Sequence, residues 1–309
     1  MQMHTFPEIS AMKLFSLALA FALVLGLAGT AAAADLSVVA TIPNLGMLVR
    51  EIGGDAVTVR VLAPPNRDAH YLEAVPSMMA ALRRADLVVS IGADLEVGWL
   101  PAALTGANNR RVMPGQPGNF VAADQVKLLD DDKPADRALG DVHPHGNPHV
   151  DFDPERLAAI GRALARRMGE LAPAQATEFA KRAETLAEAL AEHGARWKER
   201  VNDAPGVLSY HSDHMYLLRF LGVKELGTIE PLPGIPPTAA HLRGLVRRLR
   251  EEPPGVIWTS NYQPDRAARF MARELGWPSH QLPTQVPMDG GFDAYVAMVE
   301  AWLDTLDPP

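Results

Sequence analysis

Three of the chain's ten histidines lie close together in one loop-like stretch. His143, His145 and His149 fall within residues 141–154, a segment rich in Pro, Gly and Asn. Imidazole is the commonest protein ligand for zinc, and it also suits copper, nickel and iron. A metal site on a loop and an ordinary polar loop both fit this stretch, so the rest of the chain must decide between them.

Two further histidines follow predicted strands. His70 comes after the apolar run Val57–Leu62, and His211 comes after Gly206–Ser209 with only Tyr210 between them. In open α/β sheets, ligands bind at the carboxyl ends of strands. Together with His149, these residues would supply three imidazoles from three loops, with an oxygen or water in the fourth position, which is the geometry that zinc prefers.

The composition of the chain excludes several kinds of site. Its net charge is −8, and it has no basic stripe with interleaved aromatic residues, so a nucleic-acid partner is not expected. The chain contains no Cys. A disulfide, a thiolate metal site and a Cys nucleophile are therefore excluded, and any bound metal would be held by nitrogen and oxygen.

The first residues have the pattern of an export signal. Lys13 precedes an apolar run from Leu14 to Leu27, and the small residues Gly29–Ala34 follow it. This pattern predicts a cleaved signal peptide over residues 1–34, because the run is too short to favour a retained membrane anchor. Since no Cys follows the run, we expect no lipid anchor and an exported protein, most simply in a bacterial periplasm.

Strand-like and helical segments alternate through short loops in both halves of the chain. The strand-like runs include Leu36–Ile42 and Asp86–Ile91 in the first half and Gly255–Thr259 in the second. Such alternation is typical of βαβ units on a parallel sheet. We therefore predict an α/β fold with two similar lobes, 35–153 and 202–309, each a parallel sheet flanked by helices.

A long helical pattern separates the two predicted lobes. It runs over residues 154–201, far beyond the usual helix of about a dozen residues, and Pro173 is the residue expected to kink or split it. We interpret it as one long linking helix. Residues 95–141 are less regular, and Val126–Leu129 is their one candidate strand.

The chain from Ala34 onward resembles the solute-binding proteins of bacterial zinc and manganese ABC importers. The motifs that carry the resemblance follow in the family's order: Asp68–Glu73, Gly140–His143, Gly146–His149, Tyr210–His211 and Glu230–Pro237. The resemblance implies one metal ion in the cleft between two lobes. It also implies that His70, His149 and His211 take the places of the family's first three ligands.

The sequence departs from this family at the fourth ligand. Many members place an Asp in a turn after the last strand, where this chain has Leu282–Gln285. Glu230, Asp289 or a water molecule remain as candidates for the fourth position. Three histidines without an assigned carboxylate favour zinc, because manganese prefers oxygen ligands.

The resemblance implies a periplasmic high-affinity zinc receptor that delivers Zn²⁺, its bound cargo, to an ABC-type membrane permease. A manganese receptor of the same class is the alternative. A second alternative is a zinc-dependent hydrolase, since three histidines and a water also form catalytic sites. A third alternative is a metal buffer that works without a transporter. We expect a monomer without enzymatic activity or catalytic residues. His143 and His145 fit either metal-collecting groups or ordinary loop residues.

Overall fold

The structure is a computed structural model that describes residues 36–129, 145–232 and 234–307. The predicted signal peptide and His143 therefore lie outside the described residues. Among the described residues, no helix combines the length and the apolar character that crossing a bilayer would require.

The first half is built on a sheet of four parallel strands. The strands are β1 (Leu36–Ala40), β2 (Val57–Val61), β3 (Leu87–Ser90) and β4 (Asn119–Val121), in the spatial order β2-β1-β3-β4. The helices of this half are α1 (Pro43–Gly53), α2 (Pro76–Arg84) and α3 (Leu100–Ala107). Every residue of β3 is buried, as expected for a parallel sheet that is covered on both faces.

The second half repeats this plan with a sheet of the same topology. Its strands are β5 (Val207–Ser209), β6 (Glu225–Thr228), β7 (Val256–Ser260) and β8 (Ser279–Leu282), in the order β6-β5-β7-β8. Its helices are α6 (Met215–Leu221), α7 (Ala239–Leu249), α8 (Arg266–Leu275) and α9 (Phe292–Asp304). All pairs in both sheets are parallel, so the predicted α/β fold of two similar units is confirmed.

Between the halves, the prediction of one helix over residues 154–201 needs correction. The segment forms two helices, α4 (Pro154–Leu171) and α5 (Ala176–Arg200). The break falls at Pro173, which has no N–H to continue the helical hydrogen bonds. Ala172, directly before it, leaves the helical conformation with φ −131° and ψ 74°. The residue before a proline is disfavoured in the α region, which explains why the helix ends there.

The two helices pack side by side in opposite directions. Arg162 on α4 donates to Glu184 on α5 at 2.9 Å, and Lys198 near the end of α5 lies 3.4 Å from Glu155 near the start of α4. The long helix of the fold is therefore α5 alone. Near its carboxyl end, Arg200 Nη2 donates to Asp304 of α9 at 2.7 Å, which ties the helix to the second half.

At the other end of α5, a glycine allows close contact with the first half. Gly54 follows α1 with a φ of +52°, and a Cβ there would lie 2.7 Å from the guanidinium carbon of Arg182. Only glycine combines that backbone conformation with so close an approach. Helix α5 thus contacts both halves, as expected of a linking helix.

One apolar core runs continuously through both halves. It joins residues of the first sheet and α1, such as Val38 and Ile52, to Trp258 of the second sheet and Trp302 of α9. Two smaller clusters fill the outer faces of the sheets, one under α2 and α3 and one under α7 and α8. The shared core packs the two sheets as parts of one body.

The irregular region after β3 differs from its prediction. The candidate strand Val126–Leu129 is not a strand in the structure, and β4 lies at Asn119–Val121 instead. The difference follows from the length of β4, because a strand of three residues is too short to show a regular alternation of apolar and polar residues.

Candidate metal centre

The structure brings His70, His149 and His211 to one point between the two halves. One ring nitrogen of each lies within 4.8 Å of the others, and the three pairs of ring centroids are 5.3, 5.6 and 5.2 Å apart. Nε2 of His149 is 3.2 Å from Nε2 of His211. A tetrahedral zinc ion with nitrogens at about 2.0–2.1 Å needs them about 3.3 Å apart. The arrangement therefore matches the shell of one small cation.

His70 is oriented by the residue that caps its turn. Asp68 precedes the short helical turn Ala69–Tyr71, and its Oδ1 accepts from the backbone N–H of His70 at 3.0 Å. The same oxygen lies 2.6 Å from Nδ1 of the imidazole. Burial raises the pKa of Asp68, but its hydrogen bonds with His70 outweigh that effect and leave the pKa below its ordinary value. The charged carboxylate favours a proton on Nδ1, which leaves Nε2 as the nitrogen that could bind a metal ion.

His211 is oriented in the same way by a carboxylate from another loop. It lies two residues after the end of β5, with Tyr210 between them, and its Nδ1 lies 2.9 Å from Oε2 of Glu230. Burial lowers the pKa of His211, but the bond to Glu230 and the charge of Asp213 outweigh it and raise the pKa above its ordinary value. Glu230, a candidate for the fourth ligand, is thus bonded to Nδ1 of His211, whereas the other ring nitrogen, Nε2, is the one that faces His149.

Asp289, the other candidate carboxylate, lies elsewhere. Its side chain is exposed, and it acts on Arg50 in the last turn of α1. The opposite end of α1, at Pro43, is the end that borders the histidine site. Since Arg50 also donates to the carbonyl oxygen of Gly290 at 3.0 Å, this segment is held about two helical turns from the imidazoles.

His145 does not join the three imidazoles. Its side chain is 73% exposed, and its Nε2 lies 3.9 Å from Asp94 Oδ2. Among the described residues, the only group of histidine and carboxylate ligand atoms that converges is the one formed by His70, His149 and His211.

A small cavity of about 30 Å³ lies against His70 and His149. Its lining includes the following polar residues: Asp68, Asp151, Asp213, Tyr262, Thr284 and Gln285. This space is sufficient for a water molecule. The cavity can therefore hold the water that would complete a three-histidine shell.

Two carboxylates beside the site were missed from the sequence. Asp151 and Asp213 are buried, and each lies two residues after a site histidine. Burial raises the pKa of Asp151. Burial also raises that of Asp213, but the neighbouring His214 outweighs it and brings the pKa well below its ordinary value. The spacing of two residues was the only signal that could have found them.

The site joins the two halves through a dense set of hydrogen bonds. Asn44, at the start of α1, donates from Nδ2 to Asp151 at 2.7 Å and to the carbonyl oxygen of Thr284 at 3.0 Å. Its Oδ1 accepts from the N–H of Val286 at 2.9 Å, and Gln285 donates to Asp151 at 3.1 Å. The loop of the second half is thus held against the first half beside the imidazoles.

Two similar α/β units with convergent imidazoles between them, two of which are bonded to carboxylates, are the architecture of a metal-binding receptor. The chain belongs to the ZnuA family, zinc-uptake complex component A, periplasmic, whose family model matches residues 38–308.

Relatives and solved structures agree with this assignment. The metal ABC transporter substrate-binding lipoprotein SsaB of Streptococcus sanguinis is 22% identical over 287 residues, covering 88% of each chain. A zinc-bound ZnuA deletion mutant has a TM-score of 0.73 at 21% identity, covering 89% of this chain and 100% of its own. FpvC of Pseudomonas aeruginosa in complex with Mn²⁺ has a TM-score of 0.70 at 24% identity, covering 88% and 96%.

The chain is therefore a metal-binding substrate-binding protein of an ABC importer, and its family consists of transporter receptors rather than enzymes. Other relatives are named for zinc or for manganese. The curated relatives are also named as lipoproteins, so the comparisons do not support the predicted lack of a lipid anchor.

Proposed function

We propose that the protein is a periplasmic zinc receptor that captures Zn²⁺ through His70, His149 and His211 and delivers it to a membrane permease. The observation that carries this proposal is the convergence of three imidazole nitrogens within 4.8 Å. Zinc is bound well by three neutral imidazoles and a water molecule. Residues 1–34 would direct export, residues 35–153 and 202–309 would form the two lobes, and the receptor would act as a monomer.

Zinc is favoured over manganese by the chemistry of the converging atoms. Among the described residues, no carboxylate oxygen belongs to the converging set. Asp68 and Glu230 bond to the outer nitrogens of His70 and His211 instead. Manganese is a harder ion that prefers oxygen ligands, whereas zinc accepts imidazole readily.

The carboxylates also compensate the charge of a bound zinc ion. Asp68 and Glu230 each hold a proton on an imidazole and strengthen it as an electron-pair donor. Because each histidine lies on a separate loop, the shift of one loop would remove one ligand and weaken binding. The continuous core favours such loop movements over wide separation of the halves.

The first experiment compares the two metals directly. The mature chain, stripped with chelator, is titrated with zinc and with manganese by calorimetry. We expect one zinc ion per chain and manganese binding weaker by about 100-fold or more, because only oxygen-rich sites suit manganese. Tighter binding of manganese would contradict the zinc assignment, and binding of neither metal would contradict the receptor itself.

We expect Glu230→Gln to weaken zinc binding by about tenfold, the lower end of the range for partners of metal-binding histidines. Glutamine can still accept from Nδ1 of His211, but it lacks the charge that raises the pKa of that imidazole. Because only neutral imidazole binds zinc, wild-type affinity falls as the pH drops through this raised pKa. In the variant, the fall should begin at a lower pH, which titrations between pH 8 and pH 5 would measure.

Glu251→Gln is the matched control, since Glu251 is an exposed carboxylate of the same half. It should leave both the affinity and its pH dependence unchanged. An unchanged pH dependence in Glu230→Gln would show that this carboxylate does not act on His211.

A further inference from the structure

The outer surface of the second half carries a dense group of arginines. Residues 239–275, which include α7 and α8, contain seven arginines and four acidic residues, a net charge of +3 in a chain whose net charge is −8. We refer to the seven arginines as the arginine face. All seven are exposed: Arg243, Arg247, Arg248, Arg250, Arg266, Arg269 and Arg273.

The two helices lie side by side and direct these arginines to the solvent. Arg250, just after α7, donates from Nη2 to the carbonyl oxygen of Glu274 near the end of α8 at 3.1 Å. The opposite sides of both helices are buried in one apolar cluster with the second sheet. Arg243 and Arg247 are four residues apart, a spacing that places both on one side of α7. On α8 the arginines recur after three and seven residues, which again defines one side.

Most of the acidic residues in this stretch are already paired. Asp265 bonds to Arg269, and Glu274 lies 3.2 Å from Arg250. Glu252 bonds to a lysine outside the stretch at 2.6 Å. Positive charge therefore remains unbalanced on the arginine face. Four of its arginines form no ion pair within the part of the chain that the structure describes: Arg243, Arg247, Arg266 and Arg273.

Stabilisation of the helices does not account for all of this charge. Cations are favourable at the carboxyl end of a helix and unfavourable at its amino end. Arg247 and Arg273 lie in the last turns of α7 and α8 and fit this rule. Arg266, however, is the first residue of α8, and neither helix has an acidic residue in its first turn. The fold itself thus gives no reason for a cation at Arg266.

The chemistry of the arginine face suits phosphate groups on a lipid surface. A guanidinium is a planar fork of donors that binds phosphate through two hydrogen bonds at once. Among the described residues, none of the exposed large apolar side chains lies on α7 or α8. A protein–protein interface usually has an apolar centre, whereas a bilayer of anionic phospholipids attracts clusters of basic residues through charge alone.

The geometry points to the arginine face as a surface that binds anionic phospholipid bilayers. The four unpaired guanidiniums would lie among the headgroup phosphates, and neither helix would enter the hydrocarbon. Because such exposed contacts are screened by salt, the binding would be weak and reversible. It would concentrate the receptor at the membrane that contains its permease, and this last step rests on the proposed function.

The test measures binding of the mature chain, residues 35–309, to vesicles of phosphatidylglycerol and phosphatidylcholine in equal parts at low salt. The variant replaces the four unpaired arginines by glutamine. We expect its partition coefficient to fall by about 25-fold or more, because each arginine close to an anionic surface strengthens binding about fivefold and at least two should make contact. Its zinc affinity should stay within about threefold of the wild type, which also shows that the variant folds. The substitutions are Arg243→Gln, Arg247→Gln, Arg266→Gln and Arg273→Gln.

The matched control has the same net charge as the variant but keeps the arginine face. It replaces four exposed arginines outside the second half, and its partition coefficient should stay within about threefold of the wild type. Equal losses in the variant and the control would mean that net charge alone drives binding, and they would overturn the inference. The control substitutions are Arg60→Gln, Arg84→Gln, Arg110→Gln and Arg166→Gln.

A single thiol locates the contact on the protein. Since the chain contains no Cys, Ala240→Cys places one thiol at an exposed position of α7, three residues before Arg243. Ala180→Cys at an exposed position of α5 is its control. An environment-sensitive fluorophore should respond to the anionic vesicles when it is attached at position 240 and not at position 180. Equal responses at the two positions, or none at position 240, would contradict binding through the arginine face.

Two further results would overturn the inference. One is equal binding of the wild type to vesicles of phosphatidylcholine alone or no binding to the anionic vesicles. The other is loss of vesicle binding when glycerol phosphate is added at the same phosphate concentration, since the site would then take a single phosphate rather than a bilayer. Vesicle binding requires no metal. Failure of the protein to bind zinc would therefore refute the proposed function and leave the contact of the arginine face with lipid to be decided by the vesicles.

Discussion

Replacement of His149 by alanine should weaken zinc binding by more than about 100-fold. This loss is larger than the one that follows when a residue hydrogen-bonded to a metal-binding histidine is removed. His149 Nε2 lies 3.2 Å from His211 Nε2, so the two imidazoles face one position. Alanine would leave two imidazoles and water there, and zinc would lose one of its three protein ligands. Calorimetric titration of the purified variant, with a competing chelator where needed, measures the loss.

His145→Ala is the matched control for this variant. His145 lies on the same segment, but its side chain is largely exposed and 3.9 Å from Asp94. Its replacement should change the affinity of the three-histidine site by less than about threefold. Comparable losses in the two variants would contradict the assignment of His149 as a ligand and indicate a site built on the loop itself. Circular dichroism of both metal-free variants would show that the fold is retained.

The strands that form the sheets were predictable because parallel strands are buried on both faces. Leu36–Ala40 and Leu87–Ser90 are apolar runs of the kind that such strands require. β4 was not predictable, since Asn119–Val121 is too short to show a period. The register and the order of strands in each sheet depend on contacts between distant segments, which no local pattern records.

The helical pattern over residues 154–201 predicted helix correctly but not its arrangement. Both α4 and α5 are rich in Ala, Leu, Glu and Arg, so their composition alone cannot distinguish one long helix from two. Pro173 marked the position of the break. The antiparallel packing follows from contacts such as Arg162 to Glu184, which are visible only in three dimensions.

The convergence of the three histidines could be expected from the sequence, because each lies near the end of a strand or the start of a helix within a recognisable motif. Their supporting carboxylates differ in this respect. Asp68 lies two residues before His70 and bonds to it locally, whereas Glu230 reaches His211 from nineteen residues away. Asp151 depends on Asn44, which lies 107 residues earlier in the chain. Contacts between neighbours in the sequence, such as that of Asp68 with His70, could therefore be anticipated from the sequence. Contacts between distant segments, such as those of Glu230 and Asn44, could not.

Trp302→Ala should lower the free energy of unfolding by about 3–5 kcal/mol, the usual cost of removing a large buried aromatic side chain. Trp302 is fully buried and packs against His214 and Trp258, with ring centroids 4.4 and 4.9 Å away. Its Nε1 donates to the carbonyl oxygen of Pro283 at 2.9 Å, so the variant also loses a partly buried hydrogen bond. Urea unfolding of the metal-free protein, followed by circular dichroism, would measure the loss.

Trp302→Phe separates packing from hydrogen bonding, because phenylalanine keeps an aromatic ring but cannot donate to Pro283. Its expected cost is about 1–3 kcal/mol for the carbonyl left without a donor and the smaller ring. Trp302 lies in the core cluster shared by both halves, and Pro283 directly precedes the loop that Asn44 holds beside the metal centre. We therefore expect one cooperative transition in each variant, shifted as a whole. Separate unfolding of the two halves would contradict the shared core, and a loss below about 1 kcal/mol for Trp302→Ala would contradict the close packing around this indole.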